Sequence, residues 1–168
     1  AISPVPFADR FYIEKVEREI IKPTVEGLKK DNIEYKGFIF IGLINVKGEP
    51  KVIEYNVRMG DPETEAVIPR IKSDLLNLLM GIGDGTFSEK DLEIRVEVAT
   101  TIMLVSGGYP EAYEKGKKIT GIEKVSNSIV FHAGTKQEGE VVKTNGGRVI
   151  ALTSFGENMN DSLKKSFD

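Results

Sequence analysis

The sequence predicts an α+β fold in two parts, a mixed helix–strand half over residues 1–88 and a β-rich half over residues 89–168. Three observations carry this. Apolar residues recur at helical spacing on either side of two strand-like runs in the first half. The two runs are joined by Lys47-Gly48-Glu49-Pro50, which is turn chemistry, so they form an antiparallel hairpin. Beyond residue 91 the texture changes to short strand-like segments punctuated by Glu138-Gly139 and Asn145-Gly146-Gly147.

In order, residues 8–30 read as helix, with Phe11, Ile13, Val16, Ile20 and Ile21 as its apolar stripe. Pro23 lacks the donor an interior helical position needs, which predicts a break or kink near Lys22 and a second short helix over Thr24–Lys30. Residues 36–46 and 51–58 are the hairpin strands. The first is apolar almost throughout, which predicts burial on both faces. Asp61-Pro62-Glu63 has the pattern of a helix start, Asp as N-cap and Pro at the first position. That helix is expected from Pro62 to about Met80, kinked or restarted at Pro69, with Ile71, Leu75, Leu78 and Leu79 buried. Gly81–Gly85 ends it and, with Thr86–Lys90, links the halves. Strands are predicted at 93–105, 128–135, 140–144 and 148–154, and a last helix at about 157–167 carries Met159 and Leu163.

The composition sets limits. With 168 residues, 40% hydrophobic and 29% charged, the chain is of globular type. A net charge of −3 argues against a nucleic-acid surface. No apolar run reaches transmembrane length and no secretory signal is present, so no membrane partner is expected. Zero cysteines exclude disulfides and thiolate chemistry, and a cytoplasmic location is compatible with that. A single histidine, His132, rules out a zinc site built on two or more histidines and is not assigned to acid–base chemistry.

The most informative segment is Val52 to Thr64. On a strand, side chains two apart share a face, which groups Glu54, Asn56 and Arg58 opposite Ile53, Tyr55 and Val57. Glu and Asn supply the oxygen ligands Mg²⁺ accepts, one or two from protein with phosphate and water completing the shell. Arg supplies a fixed cationic fork for phosphate or carboxylate. A solvated polar strand face is the plainer alternative. The corner after the strand, Arg58 to Thr64, leads into a helix N-terminus, where backbone N–H groups favour anions. Thr144-Asn145-Gly146-Gly147-Arg148 is either an ordinary hairpin turn or a second phosphate-facing corner. Ser106-Gly107-Gly108-Tyr109-Pro110 divides the same way between turn and phosphate loop.

Glu54-Tyr-Asn-Val-Arg-Met-Gly-Asp-Pro-Glu-Thr64 closely resembles the metal-binding strand and corner of the glycinamide ribonucleotide synthetase (phosphoribosylamine–glycine ligase) family, within the ATP-grasp superfamily. Ile2-Ser-Pro4, Tyr35-Lys-Gly-Phe38 with Ile41-Gly-Leu43, Arg70-Ile-Lys-Ser-Asp74, Gly107-Gly-Tyr-Pro110, Phe131-His-Ala-Gly-Thr-Lys136 and Thr144-Asn-Gly-Gly-Arg148 recur in family order. The resemblance implies the C-terminal part of an ATP-grasp domain followed by a small β-rich C-terminal domain. It implies a ligase of purine biosynthesis that joins glycine to 5-phosphoribosylamine through a glycyl phosphate, converting ATP to ADP and phosphate. By resemblance, Glu54 and Asn56 hold Mg²⁺ or Mn²⁺. Arg58 faces the reacting groups, and Asp61, Pro62 and Glu63 form the amine or glycine corner. Asn145, Gly146, Gly147 and Arg148 then belong to the ribose-phosphate pocket.

The chain departs from the family at Glu65, where Gln is usual, and at Tyr55 and Met59, where Phe is usual. Glu65 adds negative charge near an anionic-substrate corner. It also begins like the middle of a loop, so the N-terminal domain and covering ATP-grasp lobe of the same polypeptide are expected upstream and further family sequence after Asp168. The chain alone is expected to be inactive and to expose apolar surface prone to self-association. Two alternatives stay open, a non-catalytic phospho-metabolite-binding module and another ATP-grasp ligase such as a purine-pathway carboxylase.

Overall fold

The computed structural model describes residues 1–167. In chain order the elements are β1 (Ile2–Ser3), α1 (Arg10–Val16), α2 (Lys22–Lys30), β2 (Phe40–Val46), β3 (Glu49–Asn56), α3 (Glu63–Val67), α4 (Leu75–Asp84), β4 (Val98–Val105), β5 (Ile129–His132), β6 (Thr135–Glu138), β7 (Val141–Thr144), β8 (Arg148–Gly156) and α5 (Met159–Phe167). They form two compact units. One holds Pro4–Gly60 and Ser73–Glu93; the other holds Ala1–Ser3, Asp61–Lys72 and the chain from Ile94 onward. The chain passes between units near residues 3, 60, 72 and 93. Asp168, the last residue of the expected second domain, lies outside the described residues.

In the first unit, Asp9 caps α1 by accepting from the Tyr12 N–H at 2.8 Å. The chain does not break at Lys22, where the second helix begins. A π-type turn over Glu17–Ile21 bonds the Lys22 N–H to the Glu17 carbonyl, five residues back, and this wider ladder carries the helix past Pro23. The apolar stripe is narrower than predicted. Val16 and Ile20 are buried, whereas Phe11 is 81% exposed and Ile13 and Ile21 are also exposed.

The hairpin β2–β3 forms as predicted but turns tighter, through Lys47-Gly48 alone, both at positive φ (56° and 87°). That is the twist-matched two-residue connection of antiparallel strands. Asn45 Oδ1 accepts from the Gly48 N–H. β2 is not buried on both faces; Ile44 and Val46 are exposed, as expected of a two-stranded sheet. The pairing passes from Gly42–Glu54 to Leu43–Val52, so Ile53 is an extra, bulged residue. α1 is tied to β3 by the Lys15–Glu49 ion pair, and the Tyr55 hydroxyl lies 3.1 Å from Thr24 Oγ1 on α2. α4 is capped by Asp74 and ended by left-handed Gly85, the last residue of the stretch expected to stop it. Lys36 Nζ donates to the Gly83 carbonyl.

The second unit is built on an antiparallel sheet in the order β1–β4–β8–β5, with α5 packed on β4 and β8. Ala99, Val149, Ile150 and Ala151 form its apolar centre. The helix predicted over 62–80 restarts beyond Pro69. α3 tightens into a 3-10 turn at Ile68–Arg70, Ile71 becomes extended and bridges Ile94, and α4 is a separate helix. Arg70 anchors this crossing: its guanidinium donates to Ser3 Oγ, the Glu97 carbonyl and the Arg95 carbonyl at 2.8–3.0 Å.

The predicted strand 128–135 divides at Ala133-Gly134 into β5 and β6, and β6 pairs with β7 as a hairpin. On α5, Met159 is exposed. The helix docks through Ser162 and Ser166 onto Thr100 and Ser154. Ser162 Oγ donates to the Ser154 carbonyl at 2.7 Å and accepts the Thr100 N–H at 3.1 Å. Small hydroxyl residues let helix and sheet approach closely while satisfying each buried polar group.

Candidate functional site

The strand that carries Glu54 and Asn56 is oriented by α1 and α2 behind it and by a glycine in front of it. Gly42 faces Glu54, and a Cβ at Gly42 would sit 3.0 Å from Glu54 Cγ, so the absence of a side chain there leaves room for Glu54 to lie across β2. Asn56 Nδ2 donates to Glu54 Oε1 at 2.9 Å. This bond holds the carboxamide and the carboxylate together at the end of β3. Tyr55 points the other way, toward Thr24. The predicted face is therefore formed for Glu54 and Asn56. Arg58 is not on it in the same sense: β3 ends at Asn56, and Arg58 follows in a bend with Nη1 donating to the Met59 carbonyl at 3.0 Å.

The donor set fits a hard divalent cation. Both ligands are oxygen, and among the described residues no cluster of three or more His, Cys, Asp or Glu side chains forms a cage. Two protein oxygens with an open remainder suit an ion that shares its shell with phosphate and water.

The corner residues Asp61, Pro62 and Glu63 belong to the second unit, with Arg148. Asp61 is not the N-cap of α3. Pro62 occupies that position without a side-chain bond, following a cis peptide, and Glu63 opens the helix. The Asp61 carboxylate is instead engaged by Arg148: Nη2 lies 3.2 Å from Oδ2 and Nη1 donates to the Asp61 carbonyl at 3.0 Å. Both side chains keep substantial exposure, 40% and 53%. Next along α3, the Thr153 hydroxyl donates to the Glu65 carbonyl. Glu65 Oε2 is buried without a hydrogen-bond partner among the described residues, so the charged residue in place of the usual Gln is a local cost.

Arg148 is presented by a knot of three loops. The Asn145 N–H donates to the Gly134 carbonyl and the Gly134 N–H to the Arg148 carbonyl. The Ser106 N–H donates to the Gly147 carbonyl and its hydroxyl to the Gly146 carbonyl, both at 2.7 Å. A Cβ on Gly147 would strike the Tyr109 ring, and one on Gly134 would lie 2.7 Å from Gly146 Cα. Gly146 and Gly147 are thus required by internal packing. Ser106, Tyr109 and Gly134 are the supporting residues that sequence reasoning did not assign. An isolated Gly inside a strand pattern, as at Gly134, is the signal of close backbone approach that was available. His132 has a local partner, with Nδ1 3.0 Å from Thr135 Oγ1.

Comparison with known proteins agrees with the motif order. Residues 1–64 match the family model described as phosphoribosylglycinamide synthetase, ATP-grasp (A) domain, and residues 99–168 match the C domain of the same synthetase. The bifunctional purine biosynthetic protein PUR2,5 of Pichia angusta is 42% identical over 170 residues, covering 99% of this chain and 22% of that protein. A phosphoribosylamine–glycine ligase of Chlorobaculum tepidum is 38% identical, covering 99% of this chain and 40% of its own length. The solved phosphoribosylamine–glycine ligase of Thermotoga maritima superposes with a TM-score of 0.84 at 34% identity, covering 99% of this chain and 41% of that one. N5-carboxyaminoimidazole ribonucleotide synthetase from the same organism shares the fold at TM-score 0.63 and 18% identity, covering 99% of this chain and 42% of that one. The chain therefore spans at most about two-fifths of the length of these relatives. Across both of its matched segments, the chain belongs to the phosphoribosylglycinamide synthetase family.

Proposed function

We propose that this chain contributes the metal strand and the phosphorylated-substrate corner of an ATP-dependent carbon–nitrogen ligase that joins glycine to 5-phosphoribosylamine. The Glu54–Asn56 pair, a carboxylate and a carboxamide hydrogen-bonded to each other at the end of β3, is the observation that carries the reading. In the proposed reaction a glycine carboxylate oxygen attacks the γ-phosphorus of ATP and ADP leaves. The amine nitrogen then attacks the glycyl phosphate carbonyl, and phosphate leaves. Glu54 and Asn56 would hold Mg²⁺ or Mn²⁺, which when bound neutralises charge on the ATP phosphates. Arg58 supplies a permanent cation for the charge that develops on the transferred group. Its bond to a backbone carbonyl leaves further donors available.

Asp61, Pro62 and Glu63 supply the amine or glycine corner, with carboxylates suited to an amine. Asn145 and Arg148 bind the ribose-phosphate end, and Gly146 and Gly147 allow the close loop packing that places them. We assign residues 1–88 to the ATP-grasp domain and 89–168 to the C-terminal domain. The cytoplasm is the proposed location; no helix among the described residues is long and apolar enough to cross a membrane.

The test is glycine- and phosphoribosylamine-dependent ADP release by the polypeptide that carries this chain. Arg58→Met should lower kcat by at least about a hundredfold, the scale of losing one preorganised electrostatic donor. An unchanged kcat would remove Arg58 from the reaction.

A further inference from the structure

We propose that Asp61 and Arg148 form a self-paired latch that a phosphorylated amine substrate opens by exchange of partners. The proposal rests on the ligase reading's assignment of Arg148 to a phosphate, and it concerns what that arginine does before the phosphate arrives. Arg148 is not a free cation. The end of its fork is occupied, with Nη1 on the Asp61 carbonyl and Nη2 3.2 Å from the Asp61 carboxylate. Asp61 is equally not a free carboxylate. Each group proposed to read one end of the substrate neutralises the other.

The pair is well placed to exchange. Arg148 begins β8, where three loops fix its backbone, and Asp61 begins the corner that leads into α3, so both anchors are defined while both tips stay partly exposed. An ion pair exposed to this degree is weak. A phosphate dianion presents more charge and more acceptor oxygens to the same end-on donors, and charge-assisted bidentate contacts are the stronger kind. Phosphate beside Arg148 also repels the Asp61 carboxylate. The carboxylate freed by exchange then becomes an acceptor for the amine at the other end of the same ligand. A sugar phosphate lacking the amine would open the latch without using the released carboxylate.

The geometry allows a second arrangement, in which Arg148 keeps Asp61 on its end-on donors and takes phosphate through Nε and the remaining Nη hydrogen. The two arrangements predict opposite effects of removing the Asp61 charge. Exchange means that Asp61 competes with phosphate, so Asp61→Asn tightens phosphate binding. Sharing means that Asp61 orients the guanidinium, so Asp61→Asn weakens it.

Ribose 5-phosphate is titrated into the chain and followed by NMR chemical shifts, in the parent and in Asp61→Asn, Arg148→Met and Glu111→Gln. Glu111 is an exposed carboxylate on the loop whose Tyr109 packs on Gly147, and it controls for loss of one negative charge. The latch predicts that Asp61→Asn binds about 1.5- to 5-fold tighter, the range set by an exposed pair. Glu111→Gln should stay at parental affinity and Arg148→Met should lose binding. Arg148-dependent binding that is unchanged or weaker in Asp61→Asn overturns the latch and leaves the phosphate role of Arg148 standing. Equal tightening in Asp61→Asn and Glu111→Gln overturns it as a bulk charge effect. Absence of any Arg148-dependent binding overturns the underlying assignment, and the latch with it.

Discussion

Gly134→Ala should destabilise the protein, although Gly134 does not occupy the left-handed region and its backbone imposes no penalty on alanine. In the unfolded chain the substitution is favourable to folding by about 0.4–1 kcal/mol, because alanine has less conformational freedom to lose. Against this stands a collision: the new Cβ would lie 2.7 Å from Gly146 Cα and 2.9 Å from Gly146 N, and closer still to the Arg148 carbonyl. All three obstacles are backbone, held by the Gly134–Arg148 and Asn145–Gly134 hydrogen bonds, so no side chain can swing aside. Overpacking of this kind costs about 1–3 kcal/mol, with an unyielding neighbour favouring the upper part. The net expectation is a loss of about 1–2 kcal/mol, which is roughly 2–8 °C in Tm for a chain of this size.

Urea denaturation measures the loss directly, with Gly27→Ala as an internal reference of opposite sign. Gly27 lies inside α2 with open space around it, so alanine there should stabilise by about 0.5–1 kcal/mol. If Gly134→Ala is neutral or stabilising while Gly27→Ala behaves as expected, the loop knot is not packed as described. The glycines near Arg148 would then need a different explanation.

Ser162→Ala should cost about 1–3 kcal/mol in urea, because it leaves the buried Thr100 N–H, Thr100 hydroxyl and Ser154 carbonyl short of a partner; a loss below a few tenths would mean that α5 is held mainly by other contacts. Acid should weaken the second unit. Lys143, and then Lys136, holds Glu138 below the usual carboxylate range, and Lys165 with the Glu157 N–H does the same for Asp161. Since these folded-state pKa values are depressed, the contribution is complete above about pH 5 and is lost as pH falls through about 4 and below. Lys165→Met should reduce the drop in urea midpoint between pH 6 and pH 3.5, and an undiminished drop would assign it to other carboxylates.

Legibility from sequence followed how local the decisive interaction was. The β2–β3 hairpin and the pairing of Glu54 with Asn56 rest on period-two alternation and turn chemistry within a short stretch, and both formed. Arg58 left the shared face because the strand stops at Asn56. The Ile53 bulge is a pairing irregularity that alternation does not announce. Asp61 has the local signature of an N-cap, but Arg148, 87 residues away, claims its carboxylate. The buried face of α5 rests on a non-local match, Ser162 and Ser166 meeting hydroxyls on the sheet. Helix continuity through Pro23 depended on a π-type turn that relocates one hydrogen bond.

The metal assignment on β3 is tested most directly by isothermal titration of Mg²⁺-ATP into this chain, beside the Glu54→Ala/Asn56→Ala double variant and metal-free ATP. The account predicts weak binding that requires Mg²⁺ and disappears in the double variant. Binding of Mg²⁺-ATP that persists unchanged without Glu54 and Asn56 would contradict it.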